Sequence, residues 1–277
     1  MIELLGYTFF THALLAAIFA GISCGFIGTY IVTRRIVFIS GGISHASFGG
    51  VGIAYYSGFN PVLGAALFAI LSAVGIEAFS RKTTLRKDTL IGIMWSFGMA
   101  VGIIFVYMTP GYTANLMTYL FGNILTVTAF DLYLMAGLTV IIIAFFLLLL
   151  KEILYIAFDE EYSRTQGIPV ATINYILTCL VALTIVINIR VVGIILVISL
   201  LTIPQATANL ISKNFKSIIF LSIGFGFVSS ISGLFLSYKL NIPSGATIIF
   251  SSILLFLLVR LGLFIHSLRR PYRGPNF

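Results

Sequence analysis

The chain has 277 residues, 60% of them hydrophobic and only 9% charged, with a net charge of +8. Apolar runs of spanning length recur from end to end and no long polar segment separates them, which excludes a soluble domain and predicts an all-α, polytopic integral membrane protein forming one transmembrane domain over 1–277. The basic residues sit between the apolar runs, as a bilayer protein requires, so the positive charge does not indicate a nucleic-acid binder.

Nine spans are predicted, over about 9–32, 37–57, 62–80, 89–109, 130–157, 169–188, 191–211, 217–238 and 244–264. Arg190 divides two short spans and a broken helix there changes the number, so the expected count is about eight or nine. Glu3 precedes the first run without a basic flank, so this N-terminus is not expected to be a secretory signal. Cys24 and Cys179 both lie in apolar runs and suit packing better than a disulfide or metal pair. Arg34-Arg35, the segment from Arg81 to Lys87, Lys213 to Lys216 and the tail from Arg269 fall on one side. The excess of Lys and Arg makes that side cytoplasmic. The segment around Asp159 falls there too, whereas Arg190 and Lys239 lie on the opposite face.

The second run carries an ionisable residue at bilayer depth. His45 stands in Ser40-Gly41-Gly42-Ile43-Ser44-His45-Ala46-Ser47-Phe48-Gly49-Gly50. A polar side chain there costs a few kcal/mol unless it has a partner or a hydrated path, so it is a functional candidate by default. Helical spacing puts Gly41, Ser44, His45, Phe48 and Gly49 on one stripe. With Ser47, the small residues Gly41, Ser44 and Gly49 form a candidate pathway lining. Neutral imidazole binds zinc, iron, nickel or copper well. Two roles stay open from the residues alone: a transient metal ligand, or a histidine hydrogen-bonded across a helix interface. No Asp, Glu or Cys lies one turn away, so this segment alone cannot build a complete metal site. His12 and His266 are expected at the membrane interfaces. Glu77 and Asp131 are expected to be span-end residues, and Asp88 an N-cap.

Two connections are unusual. Gly111 to Asn123 is long and uncharged, suited to a short outer helix or a re-entrant segment. Phe158 to Ile168 lies on the cytoplasmic side. Asp159 is an N-cap candidate, Glu160 and Glu161 favour a first turn, Gly167 suits a helix end and Pro169 opens the next span. A short capped helix held between two spans is predicted, with a solvated loop as the plain alternative. Further on, Pro204 interrupts an apolar run, and Thr202, Gln205 and Thr207 beside it are placed to satisfy loosened backbone or line a cavity. A weak echo links Gly50–Ala65 to Gly233–Ala246, each ending in an Asn-Pro-Gly turn. No phosphate-binding loop, HExxH, GxSxG or carboxylate pair occurs, so the chain is not expected to be an enzyme.

These motifs together resemble the membrane permease of metal-cation ABC importers, which take up zinc, manganese or iron in bacteria and archaea. The resemblance rests on Arg35 to Gly50, Asp88 to Ser96, Tyr119 to Leu125, Asp159 to Gly167 and Val192 to Ala208, in that order. It implies a multi-pass protein of the cell (inner) membrane, working as a homodimer around a central pathway. A separate cytoplasmic ATP-binding subunit would dock on the 158–168 helix through Asp159, Glu160, Glu161, Arg164 and Gly167. An extracytoplasmic metal-binding protein would deliver the cargo. No resident cofactor is implied: the divalent metal cation is what is transported, and His45 would be its ligand. Many members carry an aspartate four residues before that histidine, where this chain has Gly41. The missing charge points to zinc rather than manganese. Ser163 and Gln166 also replace residues that are usually small and apolar or Leu-like. The alternative function is a stand-alone secondary transporter or channel for a small cation, which would need intramembrane acids.

Overall fold

The computed structural model describes residues 7–110 and 127–269. Those residues form helices and connections, with no strand among them. The helices are α1 (Thr8–Thr33), α2 (Phe38–Ser57), α3 (Pro61–Lys82), α4 (Lys87–Met108), α5 (Ala129–Leu148) and α6 (Leu150–Phe158). They continue as α7 (Glu160–Thr165), α8 (Val170–Val192), α9 (Ile194–Leu200), α10 (Ile203–Ile211), α11 (Phe215–Leu240) and α12 (Ser244–Arg269). The expected outer segment, Gly111 to Asn123, lies outside the described residues, as does the whole Tyr119–Leu125 motif.

Local chemistry sets many of the helix starts. Asn60 accepts a hydrogen bond from the Val62 N–H ahead of Pro61 in the first turn of α3. Thr128 and Asp131 form a reciprocal capping box at α5, and Asn214 accepts from the Lys216 and Ser217 amides at α11. Each bond satisfies an amide that a helix start would otherwise strand. Asp88 does not cap α4. Arg86 occupies that position without a side-chain bond, and Asp88 in the first turn faces Arg86 at 3.5 Å.

Eight of the described helical stretches are long and apolar enough to cross a membrane, counting 194–211 as one. The break near Arg190 falls at Gly193, whose φ of 81° suits glycine. Arg190 itself remains in the last turn of α8. Pro204 sits in the first turn of α10, after a turn at Leu201–Thr202, rather than kinking a continuous helix. The 130–157 span is also divided. Leu149 leaves the helical region (φ −118°, ψ 25°) and separates α5 from α6, and nothing in the run of leucines marks that break.

The twenty-residue α2 is not among the eight, because its serines, glycines and histidine lower its hydropathy. Its surroundings compensate: it packs on α3, α4, α8 and α9, and most of its length is buried. Glycine makes this possible. A Cβ at Gly50 would run into the Gly64 carbonyl of α3. One at Gly98 of α4 would lie 2.5 Å from Ala46 Cα, and Gly52 lies against the Gly102 backbone. The backbones thus approach as closely as small residues allow, which is how helices associate where water supplies little drive. Gly233 likewise meets Ile248 across the α11–α12 turn, so the two echoed segments are both tight helical hairpins.

Ion pairs join elements that the charge rule assigns to one side. Arg34, Arg81 and Glu160 meet at one end of the bundle, and Arg190 pairs with Asp131 at 3.0 Å at the other.

The close α2–α4 contact makes a definite prediction. Gly98→Val drives a side chain into the Ala46 backbone, an overpacking that typically costs about 1–3 kcal/mol. The detergent-extracted variant should lose its monodisperse size-exclusion peak at a lower temperature than wild type. Gly92→Ala, beside which there is open space, should leave the melting curve unchanged.

Candidate functional site

α2 presents His45 half-buried, while Ser40, Ser44 and Ser47 around it are wholly buried. The imidazole stacks on the Trp95 indole of α4, with ring centroids 4.4 Å apart and planes 5° from parallel. No hydrogen bond from the described residues reaches its ring nitrogens. A neutral imidazole has one acceptor and one donor nitrogen, so among the described residues nothing takes up this side chain's bonding capacity.

The other candidates divide around it. Ser44 donates to the Ser40 carbonyl (2.6 Å) and Ser47 to the Ser44 carbonyl (2.7 Å). Gly49 lies against Phe68 of α3 and the Gly98 carbonyl of α4. Gly41 is on the Trp95 side: a Cβ there would meet the indole at 3.6 Å and Ile198 of α9 at 3.9 Å. Both are ordinary van der Waals distances, so packing does not demand glycine at 41. The described residues contain no group of three or more His, Cys, Asp or Glu able to hold a metal ion. One chain therefore brings a single imidazole to this place.

Below it, the predicted short helix is present as α7. Asp159 caps it, its Oδ1 accepting from the Tyr162 N–H at 2.9 Å. Ser163 is buried and its hydroxyl donates to the Asp159 carbonyl at 2.6 Å, which suits a polar residue at that position. Gly167 follows the helix with φ 74°, a conformation that a Cβ disfavours by roughly 1–2 kcal/mol. Glu161, Tyr162 and Arg164 point outward, and Phe158 beside them is also exposed.

Glu160 points inward, and its partners were not foreseen. Its Oε2 lies 2.9 Å from Arg34 Nη2. Its Oε1 accepts from Asn174 Nδ2 at 3.2 Å and lies 3.2 Å from Arg164 and 3.6 Å from Arg81. Arg34 also donates to the Ile156 carbonyl at 2.6 Å. Arg81 is held by Glu77 at 2.7 Å, and Glu77 takes Lys87 at 3.0 Å. Glu77 is buried at a helix end, more than a simple span-end charge. Burial pulls the Glu160 carboxyl upward in pKa, but the Arg34 hydrogen bond, the Arg34 and Lys87 charges and the Arg164 hydrogen bond outweigh it. The net effect holds the carboxyl below its usual range. Burial opposes the Arg34 charge, and Tyr30, Glu160 and Glu77 restore it, leaving the guanidinium pKa raised.

The remaining polar candidates have structural partners. His12 Nδ1 lies 3.0 Å from the Val127 carbonyl, and His266 is exposed near the end of α12. Gln205, fully buried, donates to the Cys24 and Leu200 carbonyls at 2.8 and 3.0 Å. Thr202 and Thr207 donate to the Ile198 and Ile203 carbonyls.

The family model described as the ABC 3 transport family matches residues 6–262. The chain belongs to this family, the membrane permeases of metal-cation ABC importers. It is 43% identical over 258 residues to a membrane protein of Synechocystis sp., covering 93% of this chain and 92% of that one. It is 36% identical over 274 residues to the manganese transport system membrane protein MntC of Listeria monocytogenes, covering 99% and 95% of the two chains. The solved structure of PsaBC from Streptococcus pneumoniae in complex with Fab superposes with a TM-score of 0.82 at 34% identity, covering 93% of each chain. Membership fits both halves of the geometry: a polar helix enclosed in an apolar bundle, and a capped helix outside it.

Within this ABC 3 permease, the sequence named His45 as a candidate and predicted α7, but the contacts of Trp95, Arg34 and Arg81 were not foreseen. Trp95 carried a signal, being the chain's only tryptophan and lying in the Asp88–Ser96 motif. Its uniqueness provides a direct check. Indole emission reports on the stack, so His45→Ala should change the intensity or wavelength of the Trp95 fluorescence in the purified protein. Superimposable spectra would show that the two rings do not stack.

Proposed function

We propose that this protein is the transmembrane subunit of an ATP-driven importer of a divalent metal cation. It would work as a homodimer in the cell membrane, with a cytoplasmic ATPase docked on each α7 and an extracytoplasmic binding protein supplying the ion. The chain itself does no chemistry in this reading, and the partner hydrolyses ATP. The observation that carries it is the half-buried His45, free of protein hydrogen bonds among the described residues and set in a polar helix that lipid would not tolerate. A histidine from each protomer gives a loose site, and a loose site suits transport because the ion must leave as well as enter. Imidazole without carboxylate favours zinc over manganese, whereas the Listeria relative is named for manganese, so both ions belong in the assay. A stand-alone carrier finds less support, since Glu77 and Asp131 are both ion-paired near helix ends.

His45→Gln keeps approximate size and hydrogen-bonding capacity. At matched expression it should lose most uptake of the transported ion while the complex still assembles. Undiminished zinc and manganese uptake would make His45 a packing residue. The docking part is tested separately. Gly167→Trp adds bulk and strain at the end of α7, and the ATPase should no longer co-purify with the inserted permease. Normal pull-down would remove α7 as the docking element.

A further inference from the structure

We propose that Glu160 is the strut that carries movement of α7 to the two helices flanking the pathway, α2 and α4. This rests on α7 being where the ATPase docks, and it assigns the mechanical link within the permease.

The covalent path from α7 does not lead to those helices. Backward it runs through α6 into α5, and forward into α8. His45 and Trp95 lie on α2 and α4. The Glu160 side chain closes that gap. One oxygen holds Arg34, the residue that ends α1, with only residues 35–37 between it and α2. The other faces Arg81 in the last turn of α3. Arg81 shares Glu77 with Lys87, the first residue of α4. A single carboxylate on the docking helix thus reaches the near ends of both helices that form the ring stack. Asn174 of α8, itself accepting from the Tyr30 hydroxyl of α1 at 3.2 Å, buttresses the same carboxylate. The rest of α7 is poorly placed for the task, because Ser163 bonds only within its own turn and Glu161, Tyr162 and Arg164 face outward. Charge is essential to the link: a glutamine keeps the size but gives Arg34 and Arg81 one neutral oxygen in place of a carboxylate.

Glu160 is a positioning residue, so its test must separate coupling from docking. The permease–ATPase complex is reconstituted in liposomes with its delivery protein, and ATP hydrolysis and uptake are measured for zinc and for manganese. Glu160→Gln should retain the ATPase at the wild-type ratio and continue to hydrolyse ATP. Ions imported per ATP should fall about ten-fold, within the range usual for coupling between sites. Glu160→Asp, which keeps the charge, should recover part of the loss. Arg34→Gln breaks the link from the membrane side and should give the same phenotype. The double variant should be no worse than either single, since both remove one interaction. Wild-type ions per ATP in Glu160→Gln would overturn the proposal, and so would uptake lost only in proportion to ATPase lost from the complex. If Glu160→Gln does not accumulate, wild-type coupling in Arg34→Gln overturns it equally. A wild-type permease that neither binds an ATPase nor imports either metal would instead refute the proposed function.

Discussion

The functional parts of this protein depend on enclosing one helix that lipid would not tolerate. α2 carries five glycines, four serines and a histidine in twenty residues. Placed against hydrocarbon it would be costly and poorly held. Surrounded by α3, α4, α8 and α9, its buried Ser40, Ser44 and Ser47 bond to their own backbone and its glycines become contact surface. The other elements follow from that enclosure. α4 and α12 are mostly exposed on the bundle's outside, while α1 and α8 are the most buried of the eight long apolar helices. The tight approach of α2 to α4 also brings the imidazole and the indole face to face.

At the Glu160 end of the bundle the constraint is electrostatic. Glu77 and Glu160 gather Arg34, Arg81, Lys87 and Arg164 from four separate stretches of chain. Exposed ion pairs contribute little, but a partly buried network whose members share acceptors fixes geometry as well as charge. Here it fixes a six-residue helix that is too short to be stable alone. Asp159 and Ser163 shape that helix, and Glu160 ties it to the bundle. The depressed Glu160 pKa means that this tie is fully present above the ordinary carboxylate range. It is lost only as pH falls through the lowered value.

The parts legible in sequence were those with local causes. Apolar runs gave the spans, and Lys and Arg placement correctly grouped residues that the ion pairs bring together. Asp159 and Gly167 announced α7 because a cap and a left-handed residue act within a few positions of themselves. Other features had no local mark. The Leu149 break falls in uninterrupted leucine, and Asp88 has the chemistry of a cap but sits two residues past the cap position. The Glu160 cluster joins residues 34, 81 and 160, whose proximity is set by the packing of α1, α3 and α8 rather than by any pattern along the chain. His45 was identifiable because a membrane-depth histidine is rare. Its ring partner was not, since a tryptophan on a lipid-length helix is ordinary until the register of α2 against α4 is known.

Gly41 brings the enclosure and the chemistry together. The space beside it admits a Cβ without disturbing Trp95 or Ile198, so packing does not demand glycine there. An ionised carboxylate at that depth would require compensation, since an unpaired charge away from water is far costlier than a neutral imidazole. Without it, α2 carries no fixed charge at all between Arg35 and its end. Under the proposed function, the attraction for a cation would come from a lone pair rather than a field, and this selects by ligand softness instead of by charge. It also leaves little to hold the ion once its neighbours move. In such a site the holding must come from geometry, from the stack above His45 and the helices that position it. Under the proposed function, control of α2 and α4 from the Glu160 end is then the step on which selective passage depends.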